Sequence, residues 1–392
     1  MSDDASLERL LEAALESRRA QHLERRRRVI TPIDAVHVEI DGRRLVNFCS
    51  NNYLGLTHHP KVIEAVATAT RAAGAGAAAS GLISGYTSGH ASAEAALAAW
   101  KGAEAAVLPP SGYQANHAAV QTIVGSAEVA GTRVRFLLDK LAHASLIDAV
   151  RGSGASFRIF PHNDLAKLER LLAERDSGEM QVVVTESVFS MDGDAAPLAE
   201  LADLKRRHPF VLLLDEAHGS GVYGPNGAGL AAELRLTDAV DVFVVTLSKA
   251  MGLVGGAVCS SRSFCDALVN FGRAYVYSTA VPPAIAAGCE ASLRVMRDEP
   301  ERQRRVRELA RRFREAVGID GDCPIVPIVL QNEPAALRAA ANLEERGLLV
   351  LAVRPPTVSK GTSRLRVTLS CEHSDDEVAM LIDAIRELKR VE

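Results

Sequence analysis

Between residues 211 and 256 two uninterrupted apolar runs each end in chemically active side chains. Val211-Leu212-Leu213-Leu214 leads into Asp215-Glu216-Ala217-His218. Val242-Phe243-Val244-Val245 leads into Thr246-Leu247-Ser248-Lys249, with Gly252, Gly255 and Gly256 close behind. Runs without polar alternation suit strands covered on both faces, as in parallel sheets flanked by helices. Open sheets of that kind bind ligands at the carboxyl ends of their strands. An acid, an imidazole and an amine therefore arrive at one rim.

The same rhythm extends along the chain. Strands are expected at 105–108, 134–138, 156–160, 182–185, 211–214, 242–245 and 257–260, with helices between most of them. That alternation predicts an α/β fold with a large, doubly wound, mainly parallel sheet. Past Pro282-Pro283 the pattern changes to long helices, one Arg/Glu-rich over 301–317. Short strands near 325–330, 348–352 and 365–369 and a final helix from Asp375 then make a smaller C-terminal α+β domain. The expected division is an N-terminal helical arm and hairpin over 1–48, a large α/β domain over 49–281 and the small domain over 282–392.

In the arm, Leu7, Leu10, Leu11, Ala14 and Leu15 form a helical stripe, and Arg25 to Arg28 make a basic run whose simplest reading is a solvated helix face. Asp41-Gly42 between two apolar segments predicts a tight hairpin. The Gly/Ala/Ser-rich stretch 71–89 reads equally as a flexible linker or as bare backbone that a ligand or partner approaches closely.

A net charge of −4 on 392 residues argues against a nucleic-acid-binding protein. No apolar run reaches membrane-spanning length, and the N-terminus lacks a basic and then apolar leader. Six scattered cysteines contain no C-x-x-C pair, so neither a metal site nor a disulfide framework is expected. A cytoplasmic protein with reduced thiols is the expectation.

Two motifs at the rim have other owners. Asp215-Glu216-Ala217-His218 spells a helicase-type acidic box, but that chemistry needs a G-x-x-x-x-G-K-[ST] loop, and the chain contains no Gly-Lys dipeptide. Gly219-Ser220-Gly221-Val222-Tyr223-Gly224 spells a dinucleotide fingerprint, yet Pro225-Asn226-Gly227 follows it where a helix should open. What remains is a strand-end lysine and a strand-end aspartate. Lys249 suits a Schiff base to pyridoxal phosphate, and Asp215 suits the salt bridge to that cofactor's pyridinium nitrogen. A fixed carboxylate keeps the ring protonated and so makes it an electron sink.

Further residues fall on the same rim. Ser111-Gly112-Tyr113 precedes an amphipathic helix, so the N–H groups of Gly112 and Tyr113 point from a helix N-terminus toward an anion such as the cofactor phosphate. Thr246 and Ser248 are candidate hydroxyl donors, and Tyr113 or His143 is a candidate to lie flat on the ring. His143 and Ser190 each follow a strand.

In order, Ser111-Gly112-Tyr113, Ala142-His143-Ala144-Ser145, Ser187-Val188-Phe189-Ser190-Met191-Asp192-Gly193, Asp215-Glu216-Ala217-His218-Gly219 and Thr246-Leu247-Ser248-Lys249 resemble the α-oxoamine synthases. These are fold-type I, aspartate aminotransferase-like pyridoxal-phosphate enzymes that join an amino acid to an acyl thioester with loss of carbon dioxide. Ser80-Gly81-Leu82-Ile83-Ser84-Gly85-Tyr86 with His90, and Arg354-Pro355-Pro356-Thr357-Val358, are most similar to the branch that serves biotin synthesis from L-alanine and a pimeloyl thioester of coenzyme A or acyl carrier protein.

The resemblance implies specific roles. Lys249 would carry the cofactor, Asp215 would pair with its ring nitrogen, and His143 would stack on the ring and assist proton transfer. His218 and Ser190 would reach the ring hydroxyl, while Gly112, Tyr113 and Thr246 would surround phosphate and ring. Arg366 would hold the amino-acid carboxylate, and Thr357 and Arg25 would contact substrate. Tyr277-Ser278-Thr279 matches a segment donated across the family's dimer, which implies a homodimer with shared sites.

Overall fold

The computed structural model describes residues 6–391; residues 1–5 and 392, the outer edges of the expected arm and small domain, lie outside the described range. The chain divides into two compact units, Asn51–Glu308 and a second formed by Met1–Ser50 together with Leu309–Glu392.

The first unit is built on one seven-stranded sheet of β1 (Ala105–Val107), β2 (Arg133–Asp139), β3 (Ser156–Phe160), β4 (Glu179–Glu186), β5 (Val211–Asp215), β6 (Val242–Thr246) and β7 (Gly256–Ser260), in the order β1-β7-β6-β5-β4-β2-β3. Strands β2 to β6 are parallel throughout. β7 runs antiparallel to both β6 and β1. Residues 247–255 between β6 and β7 are too few for the crossover that a parallel neighbour demands, so the chain turns straight back. All seven expected strands lie in this sheet, and the mainly parallel α/β architecture holds.

Burial explains why the runs do not alternate. Phe136, Leu138, Val182, Val184, Leu213, Val244 and Val258 pack with Ala115, Ala118, Ala119 and Ile123 of the helix Gly112–Val129 and with Leu146 and Val150 of the helix Ala144–Gly152. Their chain neighbours Leu137, Val183, Leu212, Leu214 and Val245, which point the other way, are equally buried. Both faces are covered. The small alanines let the helix Gly112–Val129 lie close on the sheet, which brings its first turn to the ends of β5 and β6.

The second unit holds two small sheets. One orders Thr31–Pro32, His37–Ile40, Arg43–Asn47 and Leu348–Leu349; the other orders Ile325–Gln331, Ser363–Thr368 and Leu351–Val353. The expected hairpin is present, with positive φ at both Asp41 (52°) and Gly42 (75°). The single strand expected over 348–352 is instead shared. Leu348 and Leu349 pair in parallel with Val46 and Asn47, and Leu351–Val353 pairs with Ser363–Thr368.

The units do not follow the expected boundaries at 48 and 281. The helix Pro283–Asp298 packs on the helices Pro60–Ala73 and Ser88–Lys101 and so stays with the large sheet. The N-terminal hairpin joins the C-terminal segment because its open strand edge is filled by Leu348–Leu349.

Two local expectations change as well. The arm helix is Leu7–Ala20, capped by Ser6, and the basic run lies beyond it rather than on a helix face. Arg28 pairs with Glu344 at 2.6 Å and Asp41 at 3.4 Å, Arg26 pairs with Glu24 at 2.9 Å, and Arg25 donates to Thr357 Oγ1 at 2.8 Å. Complementary partners anchor the stretch. Between 71 and 89, Ser80 bridges Thr279, Ala280 N–H donates to the Ala79 carbonyl at 3.0 Å, and any Cβ on Gly85 would collide with that same carbonyl. Bare backbone is used there for close approach of the chain to itself.

Candidate active site

A cavity of about 200 Å³ opens where β4, β5 and β6 end, walled by Gly112, Tyr113, His143, Glu186, Asp215, Thr246 and Lys249. A larger one, about 590 Å³, lies toward the amino ends of β5 and β6 among Ile123, Ala127, Val211, Val242, Phe243 and Phe264, and contains neither lysine nor histidine. The smaller cavity carries the chemistry.

Asp215 is the last residue of β5 and 5% exposed. Its Oδ1 accepts the Ala217 N–H at 2.8 Å, and its Oδ2 accepts Asn116 Nδ2 at 2.8 Å. Asn116 also donates to Ser145 Oγ at 2.9 Å, and Ser145 lies 2.7 Å from His143 Nδ1. Both protons of the Asn116 amide are therefore used, which fixes its orientation, because a flip would set its oxygen against the Asp215 carboxylate. Ser145 N–H also donates to His143 Nδ1 at 3.2 Å, so His143 caps the helix Ala144–Gly152. Desolvation lowers the His143 pKa, partly opposed by the Asp215 charge, and Lys249 lowers it further. The ring is held neutral at pH 7.

Lys249 follows β6 in the loop that turns back to β7. Its Nζ lies 2.8 Å from His218 Nε2, and His218 Nδ1 lies 2.6 Å from the Tyr53 hydroxyl, which in turn donates to Asn51 Oδ1 at 3.2 Å. One polarity satisfies every link: Lys249 donates to Nε2, Nδ1–H donates to Tyr53, and Tyr53 donates to Asn51. Tyr53 and His218 are buried.

An anion cradle stands opposite. Ser111 caps the helix Gly112–Val129, leaving first-turn N–H groups directed at the cavity. A Cβ on Gly112 would sit 3.1 Å from Thr246 Oγ1, and one on Gly256 would strike the Ser111 carbonyl at 2.6 Å, so the strand β7, the helix start and Thr246 meet only because two side chains are missing. The hydroxyls of Thr246 and Ser248 are 2.8 Å apart. Helix N–H groups and hydroxyls for a phosphate, a buried carboxylate for a protonated ring nitrogen and an amine for an aldehyde together fit pyridoxal phosphate. The buried Asn116 Oδ1, which has no partner, shows that the wall is built for something besides itself.

Two charge clusters brace the rim. Beneath Asp215, Lys101 and Glu216, both fully buried, form an ion pair, and Lys101 also donates to the Ala228 carbonyl while Glu216 Oε1 accepts Ala231 N–H at 3.0 Å. At the end of β2, His162 bridges Asp139 at 2.9 Å and Asp194 at 2.7 Å with its ring edge on Phe189. That bridge fastens the loop holding Ser190 to the strand that leads to His143.

Of the residues singled out from the sequence, Gly112, Tyr113, His143, Asp215, Thr246, Ser248 and Lys249 share the cavity, and His218 reaches it through Lys249. Tyr113 is turned outward, its ring stacked on His117 and its hydroxyl 3.0 Å from Asp148. Ser190 is buried in the neighbouring loop and does not line the cavity among the described residues. Ser278 Oγ accepts Gln114 Nε2 at 2.6 Å at the start of the cradle helix, while Tyr277 is 73% exposed. Arg25, Thr357 and Arg366 belong to the second unit, where Arg25 contacts Thr357 and the buried Arg366 donates to Thr368 Oγ1 at 2.9 Å. Tyr53, Asn116, Ser145 and Glu186 were not singled out, although Glu186 stands one residue past an expected strand.

Among the described residues no helix is long and apolar enough to cross a membrane, and no cluster of His, Cys, Asp and Glu is arranged to hold a metal ion. The model of the aminotransferase class I and II family matches residues 43–385. The 8-amino-7-oxononanoate synthase of Maricaulis maris is 42% identical over 99% of this chain and 97% of its own. The serine palmitoyltransferase of Sphingomonas wittichii superposes with a TM-score of 0.91 at 29% identity, covering 99% of each chain. That of S. paucimobilis, solved with a bound pyridoxal phosphate–myriocin adduct, gives 0.90 at 28% identity over 97% of each chain. Its cofactor is pyridoxal phosphate, and the chain belongs to the class I and II aminotransferase family, within which it groups with the 8-amino-7-oxononanoate synthases.

Proposed function

We propose that this protein condenses L-alanine with a pimeloyl thioester, of coenzyme A or acyl carrier protein, to give 8-amino-7-oxononanoate, carbon dioxide and the free thiol, a step of biotin biosynthesis. The observation that carries the reading is the 42% identity to a synthase of that name along 99% of the chain. The high structural likeness to serine palmitoyltransferases supports a second reading, another α-oxoamine synthase using glycine or serine or a different acyl thioester, but at lower identity.

When bound, the cofactor supplies an electron-withdrawing ring that stabilises negative charge on the amino acid's Cα. Asp215, oriented by the Ala217 and Asn116 donors, would hold a proton at the ring nitrogen. Gly112 and Tyr113 N–H groups with Thr246 and Ser248 hold the phosphate. Lys249 is the attachment point and, as a free amine, removes the Cα proton and returns one after carbon dioxide has left. His218, 2.8 Å from Lys249 Nζ, orients that amine and, with Ser190, reaches the ring hydroxyl. His143, neutral at the mouth, covers the ring and assists proton transfer. Arg366 holds the amino-acid carboxylate, and Arg25 and Thr357 contact substrate or product.

The enzyme works as a homodimer in which Tyr277, Ser278 and Thr279 complete the partner's site. In support, Tyr277 and Ile83 are 73% and 81% exposed on segments joined by the Ser80–Thr279 bridge. Six free cysteines fit a cytoplasmic enzyme.

Mixing the cofactor-loaded protein with pimeloyl-CoA and L-alanine, glycine or L-serine tests the reading. Thiol and carbon dioxide released with alanine alone are the expected result. Release with serine or glycine alone transfers the assignment to the second reading.

A further inference from the structure

Beside Asp215 stands a second carboxyl group to which the proposed function gives no task. Glu186 ends β4 and is paired in register with Asp215 at the end of β5, so the two side chains leave neighbouring parallel strands on the same face. It is 2% exposed and belongs to the wall of the cavity that also holds His143 and Lys249. Its Oε1 is buried without a partner, whereas both oxygens of Asp215 are engaged.

A buried carboxylate with an unsatisfied oxygen costs several kcal/mol, whereas a neutral acid lacks most of that penalty. Two carboxyl groups at adjacent strand ends do not both ionise at low cost, and one of them keeps a proton. Asp215 has a donor on each oxygen, whereas Glu186 has only the His143 backbone N–H and an Oε1 with none, so the asymmetry decides which one. Desolvation and then the Asp215 charge push the Glu186 pKa well up, with Asp139 adding to the rise; Lys249 and the His143 backbone N–H oppose it.

We propose that Glu186 is a positioning residue of this site: a neutral carboxylic acid whose O–H backs Asp215, leaving Asp215 as the single anion available to the cofactor's ring nitrogen. The inference rests on the cofactor-holding role of the cavity. A charged Glu186 would add a second negative charge beside the ring. A neutral Glu186 supplies a donor to a carboxylate lone pair left over by Ala217 and Asn116, and so fixes the charge of the pair at one.

Infrared difference spectra of the cofactor-loaded protein against Glu186→Gln at pH 7 test the protonation directly. The expected result is a carbonyl stretch of a protonated carboxyl present in the parent and missing in the variant; a carboxylate band lost in its place overturns the proposal. The backing role is read from the pH midpoint of the bound cofactor's absorbance. Glu186→Gln, which keeps a neutral donor, should hold the midpoint, and Glu186→Leu, which removes the donor, should move it. A midpoint that moves in Glu186→Gln, or that stays fixed in both variants, overturns the proposal. These spectra need no acyl substrate, so they stand apart from the choice between alanine, serine and glycine.

Discussion

Lys249 Nζ lies 2.8 Å from Nε2 of the buried His218, so the imidazole fixes the direction of the amine. Lys249→Ala removes both the attachment point and the base. Thiol release with alanine and pimeloyl-CoA should fall on the order of 10³-fold or more. The variant should still take up pyridoxal phosphate, now in a form that borohydride does not fix to the protein, and retained turnover would refute the assignment.

Tyr53 holds the far side of that imidazole through its hydroxyl and is fully buried. Tyr53→Phe keeps the volume and deletes one hydrogen bond, for a drop in kcat of about 3- to 10-fold. Because His218 is oriented rather than removed, KM for the amino acid should change little. Steady-state kinetics across pH will separate this from a general loss of folded protein, which would scale all parameters together.

Asp139 and Asp194 raise the pKa of His162 to about 10 against desolvation. The folded value lies above the unfolded one near 6.5, so the stabilisation is fully present below about 6.5 and is lost as pH rises toward 10. His162→Gln should therefore cost about 2 kcal/mol at pH 6 and progressively less toward pH 10. Urea unfolding at pH 6, 8 and 10 measures the gap; a gap that widens with pH contradicts the argument.

Lys101 and Glu216 are both buried, so removing one partner strands the other. Lys101→Met should destabilise the large unit by about 3–5 kcal/mol, and adding Glu216→Gln should recover much of that loss. Thermal or denaturant melts of the single and double variants give the comparison, and a double variant no more stable than the single one would remove the pairing as the cause.

The sheet was legible because its strands are covered on both faces and therefore carry apolar runs without alternation, as at Val211–Asp215 and Val242–Thr246. Asp215 and Lys249 were legible because they end those runs. Asn116 was not, since a polar residue beside Gln114 and His117 in an alanine-rich helix looks solvated, and only the fold reveals that Asp215 lies 2.8 Å from it. Tyr53 reads as a turn residue for the same reason, because its partner His218 is 165 positions away. The unit boundary was hidden in the pairing of Leu348 with Val46, which no local pattern announces. The shared strand over 348–353 escaped as well, because a short apolar run carries no sign of which sheet it will join.

That same pairing sets an order of events during synthesis. The hairpin of His37–Ile40 and Arg43–Asn47 is made before the large sheet, yet the strand that closes its edge, and Glu344, whose carbonyl accepts Arg43, lie some 301 residues later. At roughly 5–20 residues per second, the ribosome needs about 15–60 seconds to deliver them. Residues 51–308, which hold the whole seven-stranded sheet, are complete before then. A hairpin made before the large sheet is thus stitched into place after it, and for that interval its open edge strand is a natural client for a chaperone.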